Sequence, residues 1–119
     1  MILVVASVLL RLLMRKDLLL NQVPRRALLN LSLQEVENLY QDFYADAPFT
    51  HVSKSNIDLK QVVNTNKCLI HLEKHGNKLM ILSIIDNLLK GASGQAVQNM
   101  NIIFGLEENT GLKLKTVAY

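Results

Sequence analysis

The residues with the clearest capacity for chemistry lie in the run from residue 86 to residue 105. Gly91 and Gly94 permit a ligand to approach the backbone closely, and Lys90 places a positive charge beside them. Where such a run enters a helix, the free N–H groups of the first turn also favour an anion. The run therefore predicts a ligand site at the start of a helix.

This helix should end at Gly105, a natural C-terminal cap, and its two faces differ. One face is an apolar stripe, formed by Ala92, Ala96, Met100 and Ile103. The other face carries no charge and four amides, at Gln95, Gln98, Asn99 and Asn101. Because a solvated helix face normally carries Lys and Glu, we expect the amide face to be buried against another domain, another subunit or a ligand. An ordinary helix start, capped by Asp86 or Ser93, is the alternative.

A second group has the residue types of a metal site. Cys68, His71 and His75 have the spacing C-x2-H-x3-H, which would bring them to one face of a helix as zinc ligands. The local pattern is that of a strand, because Cys68, Ile70 and Leu72 alternate with Leu69, His71 and Glu73. On a strand Cys68 and His71 point to opposite faces, so we expect no metal site. Cys68 has no flanking base and is expected to be a buried strand residue, not a nucleophile.

The surrounding elements are predicted from local signals. Ser32 and Glu35 form a capping box that begins a helix, and Ala47-Pro48 should end it. A short strand is predicted over 49–52, followed by turns up to Asn66. The strand from Cys68 and a second, more buried strand over 78–85 should form a hairpin. Together these elements indicate an α+β domain with an antiparallel or mixed sheet covered by helices.

The charge distribution excludes nucleic-acid binding by most of the chain. The net charge is +3, but residues 1–30 alone carry +4, and the remaining 89 residues carry −1. These 89 residues have no basic stripe with interleaved aromatics. The single cysteine excludes an intramolecular disulfide and fits a cytoplasmic setting.

Residues 1–30 differ in style from the rest and are left unassigned. The apolar run from Met1 to Leu10 is about half the length that spans a bilayer, and no positive charge precedes it, so neither a membrane span nor a signal peptide is expected. One interpretation is a basic amphipathic helix over 8–22 that binds a membrane or a partner. The favoured interpretation is a stretch translated out of frame ahead of the genuine coding region.

The last helix also carries a family resemblance. Residues 86–101 read Asp-Asn-Leu-Leu-Lys-Gly-Ala-Ser-Gly-Gln-Ala-Val-Gln-Asn-Met-Asn, and Phe-Gly-Leu at 104–106 and Thr-Gly-Leu at 110–112 follow. This arrangement is similar to the C-terminal signature of N-acetyl-gamma-glutamyl-phosphate reductases, in the semialdehyde dehydrogenase superfamily. Residues 64–68 and the hairpin also resemble that family, so the resemblance covers residues 31–119 and omits residues 1–30.

The resemblance implies a fold and an activity for the parent enzyme. Such enzymes combine an NADP-binding Rossmann domain with a second domain like the C-terminal domain of glyceraldehyde-3-phosphate dehydrogenase. A cysteine thiolate attacks the acyl phosphate, a histidine handles the proton, and NADPH reduces N-acyl-glutamyl phosphate to N-acyl-glutamate semialdehyde in arginine biosynthesis. The resemblance further implies a cytoplasmic homo-oligomer, with no nucleic acid or membrane as partner, in which the last helix packs on the nucleotide domain.

Three residues carry over as cofactor-binding: Asn87, expected near the nicotinamide, and Lys90 and Gly91 in the turn that lines the pocket. No glycine-rich phosphate loop occurs, and the catalytic cysteine and histidine of the family lie upstream of the matching region. We therefore expect a C-terminal fragment without its Rossmann domain, without catalytic residues and inactive alone. The alternatives are a fragment of aspartate-semialdehyde dehydrogenase, which shares Asp-Asn-x-x-Lys-Gly-Ala, and a small interaction module that uses residues 1–30.

Overall fold

The computed structural model describes residues 30–116, so the interpretations of residues 1–29 lie outside the described part of the chain. From Leu33 to Ile103, two α-helices and three strands are joined by shorter turns. In chain order they are α1 (Leu33–Phe43), β1 (Thr50–Ser53), a 3₁₀ turn (Leu59–Gln61), β2 (Cys68–His75), β3 (Lys78–Ile85), a π turn (Leu89–Ser93) and α2 (Gly94–Ile103). These elements confirm the α+β class that the sequence predicts.

Helix α1 begins at the predicted capping box. The Ser32 hydroxyl accepts a hydrogen bond from the Glu35 N–H at 3.3 Å, and the Glu35 carboxylate accepts one from the Ser32 N–H at 2.7 Å. The helix ends at Phe43, four residues before the predicted stop at Ala47. The end comes early because Tyr44 leaves the helical region, with ψ of 10°, and the next residues form turns.

The three strands form one mixed sheet in the order β1-β2-β3. Strand β1 is parallel to β2, with Thr50 opposite Cys68, and it starts one residue later than predicted. Strands β2 and β3 form the predicted antiparallel hairpin, with Leu72 opposite Ile81. The hairpin turns at Gly76, whose φ of +58° is a conformation that glycine adopts without strain.

The core lies between α1 and the central strand β2. Helix α1 contributes Val36 and Tyr40, and these pack on the alternating strand residues Cys68, Ile70 and Leu72. The period-two prediction for β2 is therefore confirmed.

The prediction that the second hairpin strand is the more buried one is wrong. In β3, Met80 is 42% exposed and Ile81 46% exposed, and none of its eight residues is buried, whereas four of the eight residues of β2 are buried. The difference follows from position, because β2 is paired on both sides and covered by α1, whereas β3 is an edge strand. Within residues 30–116 no helix is long and apolar enough to cross a bilayer.

Candidate functional site

The predicted ligand site is a loop that leaves β3 and enters α2, over residues 86–91, and Asp86 fixes its first residues. Asp86 Oδ1 accepts hydrogen bonds from the backbone N–H groups of Leu88 and Leu89 at 2.8 and 3.1 Å. Asp86 Oδ2 accepts one from the N–H of Asn64 at 2.7 Å. The expected cap is therefore Asp86, whereas the Ser93 hydroxyl donates to the Leu88 carbonyl and caps nothing.

These hydrogen bonds also set the charge of Asp86. Desolvation raises the pKa of its carboxyl, but the N–H groups of Asn64, Leu89 and Leu88 together outweigh this and hold the pKa below its ordinary value. Asp86 is thus a stable anion that ties the loop to residue 64, which itself has a left-handed φ of 58°.

A π turn over Leu89–Ser93 separates the loop from α2, and the sequence analysis missed it. The Gly91 N–H donates to the Asp86 carbonyl at 3.0 Å, and the Ser93 N–H donates to the Leu88 carbonyl at 3.2 Å. Both bonds span five residues, where a regular α-helix spans four. The helix therefore starts with a wider turn, of the kind often found at functional sites.

The three predicted cofactor residues separate into two groups. Asn87 and Gly91 are exposed neighbours, since a Cβ atom at Gly91 would lie 2.9 Å from Asn87 Oδ1. Lys90 turns inward and is only 3% exposed. Its ammonium donates a hydrogen bond to Gln98 Oε1 at 2.5 Å and lies 5.4 Å from the centre of the Phe49 ring. The structure thus brings Asn87 and Gly91 together at the surface and directs Lys90 into the protein.

The amide face of α2 is buried, as predicted, at Gln98 and Asn101. Besides binding Lys90, Gln98 Oε1 accepts from Asn66 Nδ2 at 3.0 Å, while Gln98 Nε2 donates to Glu108 Oε1 at 2.6 Å. Asn101 Nδ2 donates to the carbonyl oxygens of Glu108 and Thr110 at 3.2 and 2.9 Å.

Gln98 and Asn101 are buried against the chain's own residues, namely Asn66, Lys90 and the C-terminal turn. A covering domain, subunit or ligand stays a prediction for the rest of the amide face. The remaining amides, Gln95 and Asn99, bond to each other along the helix at 2.8 Å.

Gly94 allows the Asn66 side chain to pack closely against α2. A Cβ atom at Gly94 would lie 2.4 Å from Asn66 Oδ1 and 2.9 Å from the Leu89 carbonyl oxygen. Asn66 is buried, and within the described part of the chain its Oδ1 has no hydrogen-bond partner. The prediction that Gly94 admits a ligand is therefore wrong: it admits the side chain of Asn66.

The apolar stripe of α2 faces outward. Met100 and Ile103 are exposed, and the apolar surface continues over Phe104 and Leu106. Contiguous exposed apolar surface is typical of a contact face for further protein. Helix α2 thus has its polar side inside and its apolar side outside.

Comparison with known families identifies the chain. The family model described as semialdehyde dehydrogenase, dimerisation domain, matches residues 19–87. The chain belongs to the semialdehyde dehydrogenase dimerisation-domain family. The match begins within residues 1–30, which the sequence analysis left unassigned, and it ends at Asn87. The description of the family supports oligomerisation in the parent enzymes.

Curated relatives of this semialdehyde dehydrogenase dimerisation domain are named N-acetyl-gamma-glutamyl-phosphate reductase. The relative from Phocaeicola vulgatus is 65% identical over 89 residues, that from Bacteroides fragilis 64% over 89, and that from Azobacteroides pseudotrichonymphae 63% over 90. The alignments cover 75%, 75% and 76% of the chain, which spans 28% of each relative. The resemblance to these reductases is thereby confirmed, and these names favour it over the aspartate-semialdehyde alternative.

The one cysteine of this dimerisation domain is placed for packing. Cys68 is buried, and desolvation raises the pKa of its thiol, although the Ser83 hydroxyl and the Lys90 charge act in the opposite direction. Across residues 30–116 no three His, Cys, Asp or Glu side chains converge as a metal site. His71 lies on the other face of the strand from Cys68, with Nδ1 2.9 Å from the Ser53 carbonyl oxygen.

The dimerisation domain also has a shallow cleft that sequence reasoning missed. It encloses about 500 Å³, and its lining consists of Gln41, Tyr44, Ala45, Ala47, Pro48, Thr50, His51 and Val52. Desolvation raises the pKa of Tyr44 to about 12, with smaller electrostatic contributions from Tyr40 and Cys68. Desolvation lowers the pKa of His51, and the positive charge of Lys67 lowers it further. Both side chains are thus biased toward their neutral forms, and no local signal in the sequence joins them.

Proposed function

We propose that this chain is the C-terminal portion of an NADP-dependent N-acetyl-gamma-glutamyl-phosphate reductase of arginine biosynthesis, and that it is inactive alone. The observation that carries the proposal is the identity of 65% over 89 residues to a relative of that name, of which the chain spans 28%. The parent enzyme would be a cytoplasmic homo-oligomer that acts on N-acyl-glutamyl phosphate, without nucleic acid or membrane as a partner.

The surface of the 86–91 loop fits a cofactor-side role. The Gly91 N–H is already used by the Asp86 carbonyl, so it is not available to a ligand. A ligand lying over Gly91 would meet the exposed Asn87 amide, which can both donate and accept. We propose Asn87 and Gly91 as the residues that contact NADP in the parent enzyme, where bound NADPH would supply the hydride.

The nucleophile and the proton-handling group would come from residues outside this chain. The buried Cys68, whose pKa is raised, is unsuited to attack an acyl phosphate because the thiolate is the reactive form. The nucleotide-binding Rossmann domain would likewise lie in the remaining part of the parent enzyme.

We therefore expect the purified 119-residue chain not to oxidise NADPH in the presence of N-acetyl-glutamyl phosphate. The measurement is the absorbance of NADPH, with the complete Phocaeicola vulgatus reductase as the positive control. Turnover by the chain alone that survives the change Cys68→Ala would show a catalytic group unlike the family's. Turnover that is lost in Cys68→Ala, while the circular dichroism spectrum of the variant is unchanged, would contradict the assignment of Cys68 to packing.

A further inference from the structure

Gln98 has partners of opposite charge at the two ends of its amide. An ammonium only donates hydrogen bonds and a carboxylate only accepts them, so Lys90 requires the amide oxygen and Glu108 requires the amide nitrogen. One orientation of the amide satisfies both partners. The same oxygen also receives Asn66 Nδ2, which fixes that orientation further.

We propose that Gln98 is a positioning residue of the 86–91 loop, and that Lys90 acts through Gln98 to hold this loop instead of contacting the ligand. The inference rests on the proposed function only for the identity of the ligand. The hydrogen bonds that carry it lie within this chain.

Burial strengthens the hydrogen bond between Lys90 and Gln98 that holds the loop. Lys90 and Gln98 are both at least nine-tenths buried, and a buried ammonium is costly unless its hydrogen bonds are made. The Lys90 side chain therefore cannot swing outward without leaving the Gln98 oxygen one donor short. With Asp86 bound to Asn64 at the other end, the loop is held on both sides of Asn87.

The turn that follows α2 belongs to the same network of hydrogen bonds. Glu108 is bound by the Gln98 amide, and Asn101 binds the carbonyl oxygens of Glu108 and Thr110. Just beyond this turn, Leu112 is buried. The position of the loop is therefore coupled to Glu108, and Asn101 of the same helix fixes Glu108 and Thr110 in the turn.

The test is NMR on the ¹⁵N-labelled 119-residue chain at mildly acidic pH and low temperature. In the wild-type chain, the ammonium protons of Lys90 are expected to exchange slowly enough to give a side-chain signal. Gln98→Met removes both polar atoms, so the Lys90 signal should weaken and shift, and the backbone amide signals of Asn87 and Gly91 should shift as well. Gln95→Met is the matched control, because it removes an amide from the same helix that does not bond Lys90.

A second variant keeps the test decisive if Gln98→Met does not fold. Gln98→Glu still accepts from Lys90 and Asn66, but it replaces the amide donor to Glu108 by a second carboxyl group. The Lys90 signal and the Asn87 and Gly91 amides should then stay in place, while the Glu108 and Thr110 amides shift.

Three results would overturn the proposal: no Lys90 signal in the folded wild type, an unchanged Lys90 signal in folded Gln98→Met, or loss of that signal in Gln98→Glu. None of these readings involves turnover. If the reductase assignment failed, the hydrogen bonds of Gln98 would be unaffected. The turnover assay and the NMR experiment therefore test the two proposals separately.

Discussion

Replacing Gly94 by alanine is expected to destabilise the chain by about 1–3 kcal/mol, the usual cost of overpacking a buried site. The new Cβ would meet Asn66 Oδ1 at 2.4 Å and the Leu89 carbonyl oxygen at 2.9 Å. Asn66 cannot move away freely, because its Nδ2 is bound to Gln98 in a buried network. The measurement is the free energy of unfolding from urea denaturation followed by circular dichroism.

Gly91→Ala is the matched control for this change. Its Cβ would meet Asn87 Oδ1, the far end of an exposed side chain that can rotate aside. Because alanine also favours helical backbone over glycine by about 1 kcal/mol, Gly91→Ala should be neutral or slightly stabilising. Equal losses at Gly91 and Gly94 would contradict the assignment of Gly94 to packing against Asn66.

Leu72→Ala is expected to cost about 2–5 kcal/mol, the range for truncation of a fully buried leucine. Leu72 is 1% exposed and lies in the core cluster between α1 and β2. Its cross-strand partner provides the control, since Ile81 is directly opposite on β3 but 46% exposed. Ile81→Ala should therefore cost clearly less than Leu72→Ala when unfolding of the 119-residue chain is measured.

This pair also tests the assignment of β3 as an uncovered edge strand. A loss at Ile81 as large as that at Leu72 would show that Ile81 is covered in solution, for example by a second copy of the chain. Repeating the measurement over a range of protein concentrations separates these cases, because association makes apparent stability depend on concentration.

Local chemistry explains which elements the sequence could predict. The capping box at Ser32 and Glu35 joins residues three apart, and the alternation in β2 repeats every second residue. Such signals are complete within a few residues, so they predict a helix start or a hairpin without knowledge of the rest of the fold.

The features that the sequence did not predict depend on contacts between distant residues. The inward turn of Lys90 follows from Gln98, which in turn binds Asn66, 32 residues away in sequence, and Glu108. The exposure of β3 follows from its place at the edge of the sheet, and the period of its residues does not reveal that place. The uncharged amides of α2 correctly indicated burial, but composition could not indicate which surface covers them.

Together these findings change how the signature is understood. Residues 86–91 combine two outward positions, Asn87 and Gly91, with two inward anchors, Asp86 and Lys90. The signature therefore has a structural half, and an exposed half at which we propose that the ligand binds. Substitutions at the anchors are expected to act on loop geometry, and those at Asn87 on ligand binding.

The most direct measurement uses a hybrid of the Phocaeicola vulgatus reductase in which the 89 aligned residues are replaced by those of this chain. We expect the hybrid to reduce N-acetyl-glutamyl phosphate with a kcat/KM within about tenfold of the parent enzyme, or ~1.4 kcal/mol of transition-state stabilisation. Asn87→Ala in the hybrid should raise the KM for NADPH. A hybrid that folds and assembles like the parent but does not oxidise NADPH would contradict the assignment of this chain as the C-terminal portion of such a reductase.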